Sequence, residues 1–143
     1  MKFRFSFIVL VCSFICFISC GKELKKGEYK GTFTGKYVTD NHSLSYTTIY
    51  YFEVTKSTKS ELKLKEKQSQ IISTLKKHKN DSISGGIGFG SISIIGENPP
   101  DGLSSISIRG KYDKNTITGV FSTIFSDGNK DYPSEGNFTI SRN

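Results

Sequence analysis

The sequence predicts an all-β domain, folded as an antiparallel up-and-down meander of about eight short strands. Three observations predict this class. Apolar and polar residues alternate with period two along most of the chain after residue 28, as they do in strands with one buried face. Turn-forming residues recur roughly every ten positions, and no long stretch has the period of a helix. The 14 Gly, 11 Phe and 7 Tyr also favour strands and turns.

The composition indicates one globular domain with a basic surface. A mass of 15.9 kDa leaves no room for a second core of ordinary size. With 35% hydrophobic and 23% charged residues, the chain can bury a core and is not of the disordered class. The formal net charge of +7 favours acidic partners.

The first half of the domain contains three clear strands and one ambiguous segment. The inward residues would be Tyr29, Gly31, Phe33, Gly35 and Tyr37 in the first strand, Tyr46, Thr48, Tyr50, Phe52 and Val54 in the second, and Leu62 and Leu64 in the third. Ile71, Ile72 and Leu75 fit a further strand or a short helix equally well. Glu53 lies on the opposite face, where we expect an ion pair with a lysine of a neighbouring strand.

The second half repeats the alternation. The segment Gly85–Gly90 superficially fits a phosphate-binding loop, but such a loop precedes a helix, and here Ile92 and Ile94 alternate with serines as in a strand. We therefore expect a hairpin or bulge at these glycines. The later inward residues would be Ile106, Ile108, Gly110 and Tyr112, then Ile117, Gly119, Phe121, Thr123 and Phe125, and finally Gly136, Phe138 and Ile140.

Short connections throughout favour a closed barrel, with a two-sheet β-sandwich as the alternative. The opening Tyr29-Lys-Gly31-Thr-Phe33 and the closing Gly136-Asn-Phe138-Thr-Ile140 carry a resemblance. In these strands the chain resembles the lipocalin-like, calycin-type small lipoproteins of Gram-negative bacteria. The resemblance implies a small lipocalin-like barrel. It implies no particular ligand, because the Gly-x-Trp opening of true lipocalins is missing from a sequence without Trp.

The N-terminus predicts export and lipidation. A short basic start is followed by an apolar run of roughly 14 residues, which suits a secretory signal and is too short to span a membrane. Phe17-Ile18-Ser19-Cys20 resembles the bacterial lipobox, whereas Cys12 and Cys16 follow bulky residues. The resemblance implies acylation of Cys20 and, with Gly rather than Asp at position 21, an outer-membrane location in the cell envelope. We divide the chain into a signal peptide (1–19), a lipidated cysteine with a short basic tether (20–27) and one barrel domain (28–143).

Two groups of residues are candidate binding sites. The first would line an apolar cup inside the barrel or pack as a solid core; its members are Phe33, Tyr37, Tyr46, Tyr50, Phe52, Phe121 and Phe125. The second is the segment from Lys56 to Lys79, which holds eight lysines against Glu61 and Glu66. It lacks the arginines and interleaved aromatics of a nucleic-acid site, so anionic lipids, acidic glycans or an acidic protein are the expected partners. The alternative is a solvated strand edge whose lysines prevent aggregation.

Metal and catalytic signals are weak. Asp127, Asn129 and Asp131 occupy positions 1, 3 and 5 of a calcium-type loop, but the usual Gly and Glu do not follow at positions 6 and 12. His42 and His78 have no partner at ligand or triad spacing. We expect no cofactor and no catalysis.

Together these features predict an envelope lipoprotein whose barrel binds an apolar or amphipathic small molecule. The alternative is a structural or interaction lipoprotein with a solid barrel, whose lysine-rich edge docks on an acidic envelope partner or surface.

Overall fold

Each strand pairs with its neighbours in sequence, and the last strand pairs with the first. The computed structural model describes residues 23–39, 42–90, 103–126 and 130–143. Within them eight antiparallel strands form a closed barrel in sequence order. The strands are β1 (Gly27–Val38), β2 (Ser43–Ser57), β3 (Glu61–Glu66), β4 (Ile72–Lys77), β5 (Ser82–Gly88), β6 (Ser105–Tyr112), β7 (Thr116–Ser126) and β8 (Asp131–Arg142). The predicted all-β meander is confirmed, and the β-sandwich alternative is wrong.

The alternation of the sequence matches the alternation of burial. In β1, Tyr29, Phe33 and Tyr37 are buried, while Lys30 and Lys36 between them are exposed. The closing pair β1–β8 runs over nine residue pairs, from Tyr29 to Tyr37 on β1. A one-residue slip would turn every aromatic ring of β1 to solvent, so the inward faces define the register of closure.

The ambiguous region is a strand, one of the two alternatives that the sequence left open. Its inward face does not include Ile72, which is 58% exposed, whereas Ser73, Leu75 and Lys77 are buried. The phase follows from pairing with β3, where Leu75 lies opposite the inward Leu62.

The glycine-rich segment is also a strand as far as Gly88, so the hairpin is wrong among the two expected alternatives, a hairpin or a bulge. β5 pairs with β6 over seven residue pairs, from Ser82 to Gly88. Its pairing with β4 covers only Ser84 and Ile83 and stops before Gly85, whose φ of 153° favours glycine. The predicted strand at Ile92 and Ile94 lies outside the described residues.

Both ends of the barrel are covered by chain. We call the end where β1 begins the basal end; it carries loops 58–60, 78–81 and 113–115. There Leu24 is only 2% exposed, and the amide of Lys25 donates to the carbonyl of Lys114 over 3.0 Å. At the opposite, distal end the amide of Leu103 donates to Tyr50 Oη over 2.6 Å, and Phe89 is buried. None of the described ranges contains a helix with the length and hydropathy needed to cross a bilayer.

Glycine to alanine changes test how tightly the interior is filled. A Cβ at Gly31 would lie 2.6 Å from Phe52 Cε2 and 2.9 Å from Phe33 Cε2. We expect Gly31→Ala to lower the free energy of unfolding by about 1–3 kcal/mol, because buried rings must move. Urea denaturation measures this. In the matched control, Gly86→Ala, the new Cβ meets nothing closer than 3.8 Å, and we expect a change within about 0.5 kcal/mol. Equal urea midpoints for the two variants would contradict a filled interior.

Candidate functional site

All seven aromatics of the predicted interior site lie inside the barrel. Six of them are buried, and Tyr50 is half-buried. Phe33 is the centre of the group, with ring centroids between 5.7 and 6.3 Å from those of Tyr50, Phe52, Phe89, Phe121 and Phe138. Four of the five contacts are edge-to-face, a geometry that aromatic pairs favour.

A second aromatic group lies towards the distal end. Phe125 has ring-centroid distances of 5.1 Å to Tyr37 and 5.3 Å to Tyr46. Tyr46 Oη and Ser134 Oγ form a buried hydrogen bond of 2.7 Å. Burial raises the pKa of Tyr46 more than this hydrogen bond lowers it. Tyr37 Oη is buried without a hydrogen-bond partner among the described residues.

Phe89 and Leu103 complete the interior and were missed by the sequence analysis as site residues. Phe89 stacks on Tyr50 with 3.9 Å between ring centroids. Leu103 is buried and donates its amide to the hydroxyl of the same tyrosine. The alternation Ile83, Ile87, Phe89 could have identified Phe89, but its glycine neighbours favoured a turn.

The interior is therefore occupied by side chains in contact with one another. Depressions are found on the surface of the barrel. Two adjoining ones, of about 470 and 580 Å³, share outward-facing Ser107, Ser122 and Glu135 on the outer wall of β6, β7 and β8. The geometry favours a solid barrel over an apolar cup.

The lysine-rich segment does not form a strand edge, because the barrel is closed. Its lysines instead fall into three places. Lys63 and Lys65 lie on the outer wall, with Lys65 opposite Glu53 in the register, but the expected ion pair of Glu53 with a lysine is not formed among the described residues. Lys67 forms an ion pair with Glu28, and both side chains are exposed on the outside of the barrel. The others cluster near the basal end.

The basal end carries lysines from four separate stretches of the chain. We call its five exposed loop and N-terminal lysines the basal lysine ring: Lys25, Lys26, Lys59, Lys79 and Lys114. Carboxylates also lie at this end. Asp113 accepts the amides of Asn115 and Thr116, at 2.8 and 2.9 Å. Glu61 forms an ion pair with Lys56. Burial raises the pKa of Tyr112, and Asp81 and Glu23 lie close enough to raise it further. Lys26 and Lys114 are far apart in sequence, and only barrel closure brings them to one end.

Lys77 lies just inside this ring. It is the last inward residue of β4 and only 7% exposed. Its ammonium donates to Ser57 Oγ over 2.8 Å and lies 4.7 Å from the centre of the Tyr112 ring. Burial lowers the pKa of Lys77, partly offset by the more distant carboxylate of Glu23.

An open basin of about 730 Å³ lies at this point, and its lining residues are Lys59, Ser60, Lys77, His78 and Lys79. His78 Nε2 forms a 2.8 Å hydrogen bond with Ser84 Oγ. Within the described residues, Lys59 and Lys79 form no ion pair. The basin thus presents several positive charges to solvent.

A second inward-facing charge lies near the distal end. Glu66 is 4% exposed, and its carboxylate accepts the amides of Gln68 and Ser69 in the β3–β4 turn. Burial raises the pKa of Glu66, but the hydrogen bonds from these residues outweigh it and the net pKa lies below its usual value. Glu66 therefore fixes a turn.

The predicted calcium loop is only partly described. Asp131 is exposed at the start of β8, and Asp127 and Asn129 lie outside the described residues. Among the residues the structure does describe, no three His, Cys, Asp or Glu side chains are grouped closely enough to hold a metal ion. His42 is exposed in the turn between β1 and β2. Cys20 also lies outside the described ranges.

Comparison of this chain with known protein families, with curated proteins and with solved structures found no match.

Proposed function

We propose that this chain is a non-catalytic envelope lipoprotein, anchored through Cys20, that docks its basal end on an anionic membrane surface. The observation that carries the proposal is the position of the basal lysine ring. It surrounds the point where the N-terminal segment enters the barrel, and this segment leads directly back to Cys20.

The short path from Cys20 to the core supports this orientation. Leu24 is buried, so only four Cα–Cα steps, across three intervening residues, separate the proposed lipid anchor from the barrel. Fully extended, they span at most about 14 Å. The basal end would therefore lie within one or two Debye lengths of the lipid headgroups, where exposed charges still attract one another.

The energetics favour lipids as the acidic surface. A lysine near an anionic bilayer contributes about 1 kcal/mol, and a polybasic patch next to an acyl chain is a common way to make anchoring stable. The filled interior also favours an interaction protein over a carrier, since Phe33 already contacts five rings.

Charge reversal at the basal end tests the docking. The protein comprising residues 21–143 contains every strand of the barrel, and we expect it to bind phosphatidylglycerol vesicles more weakly as salt rises. Lys59→Glu with Lys79→Glu should weaken binding at least tenfold in vesicle sedimentation. The matched control, Lys63→Glu with Lys65→Glu, changes the same charge on the outer wall and should weaken it less than threefold. An equal loss in both pairs, or no vesicle binding at low salt, would overturn membrane docking and turn the search to an acidic protein or glycan.

The lipid anchor has its own test. In a Gram-negative host fed a labelled palmitate analogue, we expect label on the full-length protein and on Cys16→Ala, but none on Cys20→Ala. The reason is that thioether acylation needs the lipobox cysteine. Intact mass spectrometry should show loss of residues 1–19 and the added acyl groups. Label that persists in Cys20→Ala would place the acylation on another residue and overturn Cys20 as the anchor, and full-length protein without label would overturn lipidation.

A second candidate, binding of an apolar or amphipathic small molecule inside the barrel, is favoured by one observation. Tyr37 Oη is a buried polar atom without a partner among the described residues, which a ligand hydroxyl or carbonyl could satisfy.

Native mass spectrometry separates the two candidates. Because the interior is filled, we expect residues 21–143, incubated with envelope lipid extract, to show the same mass under native and denaturing conditions. A mass excess that is lost on denaturation, and is reduced in Tyr37→Phe, would establish the small-molecule candidate instead.

A further inference from the structure

Lys77 is a mostly buried cation, and packing within the barrel does not explain why a charged residue lies at this position. Transferring a cation into a protein interior costs several kcal/mol unless hydrogen bonds and an opposite charge compensate it. Within the described residues no carboxylate lies within 4 Å of its ammonium; Glu23 acts on it only from a greater distance, and its contacts are the hydroxyl of Ser57 and the ring of Tyr112. An ammonium has three N–H donors, so this one has capacity for a further acceptor.

A purely structural role would be served better by an apolar residue. Lys77 continues the inward face of β4 after Leu75. A methionine there would fill the same space without a charge, and such replacements are often neutral or stabilising. The positive charge at this position therefore indicates a ligand rather than a packing requirement.

The surroundings of Lys77 fit an oxyanion with several acceptor oxygens. It shares the lining of the basal basin with Lys59, Ser60, His78 and Lys79. The backbone helps to hold this geometry, since the amide of Lys77 donates to the carbonyl of Ser60 over 2.8 Å. Two exposed ammonium groups, a hydroxyl and an imidazole thus lie around the mostly buried side chain of Lys77.

We propose that the basal basin is a binding site for a phosphate group, with Lys77 as its innermost donor and Lys59 and Lys79 as its outer cations. A phosphate carries several acceptor oxygens and one or two negative charges, so it can use more of these donors than a single carboxylate can. Lysine is a common phosphate ligand that acts as a point charge.

The site adds a ligand class to the proposed function. It rests on that function, because membrane docking determines where the phosphate would come from. It opens at the end that docks on the membrane, so the phosphate there would be that of a lipid headgroup. A free phosphate in the surrounding fluid has the same chemistry, and the two sources are separated by the choice of probe.

The experiment uses residues 21–143 and NMR of the backbone amides of Ser60, Lys77 and His78. Inorganic phosphate and the headgroup diester glycerophosphoglycerol are titrated in separate arms. We expect saturable shifts confined to the basin in the wild-type protein. Lys77→Met should weaken binding of the preferred probe at least tenfold. Its unfolding midpoint in urea should be unchanged or higher, which shows that the variant is folded.

Lys76→Met is the matched control, since it removes the neighbouring charge from the exposed face of β4 and should bind within threefold of wild type. Tighter binding of the diester supports a headgroup source, and tighter binding of inorganic phosphate supports a free anion. Shifts that do not saturate, or equal affinity of Lys77→Met and wild type, would overturn the site.

Vesicle sedimentation of the same variants keeps the two proposals distinct. If the phosphate probes fail while wild-type protein and Lys77→Met bind vesicles equally, docking stands and the site is wrong. If the probes bind in a Lys77-dependent way while vesicles do not, the site stands and docking is wrong.

Discussion

The packing of aromatic rings around Phe33 is the contact on which the rest of the barrel depends. An eight-stranded barrel is just wide enough for its interior to be filled by side chains. Phe33 lies midway along β1 and contacts rings from β2, β7, β8 and the segment after β5. These rings fit because Gly31 and Gly35 on the same face of β1 leave the space that a Cβ would take. The alternation of aromatic and glycine in β1 thus follows from closing a small barrel around large side chains.

Because the interior is filled by side chains, we look for the groups that could bind a partner at the ends of the barrel. The distal end is covered by Phe89 and Leu103, which pack on Tyr50. The basal end is covered by Leu24, but around it stand lysines from loops that are distant in sequence. Long-range attraction to an anionic surface is a property of such a cluster and not of any one side chain. The lysines are spread along the chain, and closure of the barrel therefore brings several of them to one end of the molecule.

The sequence predicted the fold better than the site. Period-two alternation identified β1, β2, β6, β7 and β8 with their inward faces, because in these strands the apolar residues do face the core. It left β4 undecided between a strand and a short helix, and pairing with β3 makes it a strand with Ile72 outward and Ser73 inward. The same pairing buries Lys77, which in sequence is one of two adjacent lysines and gives no sign of its environment. Lys114 joins the basal lysine ring only through topology, so no local pattern could have found it.

Strands β3 and β4 each bury one charged side chain, Glu66 and Lys77. Comparison of the two distinguishes a charge that stabilises the fold from a charge that is available to a ligand. Glu66 faces inward near the distal end, and amides of its own turn satisfy its carboxylate, so the charge is compensated by the fold. Lys77 faces inward near the basal end with one hydroxyl and one aromatic ring for partners. A carboxylate at Ser57 or Tyr112 would have compensated it in the same way, and neither position holds one. Because the carboxylate of Glu23 is not in contact with Lys77 and only partly offsets the effect of burial on the pKa of Lys77, further negative charge is best supplied from outside, by an anion that enters where Lys59 and Lys79 open to solvent.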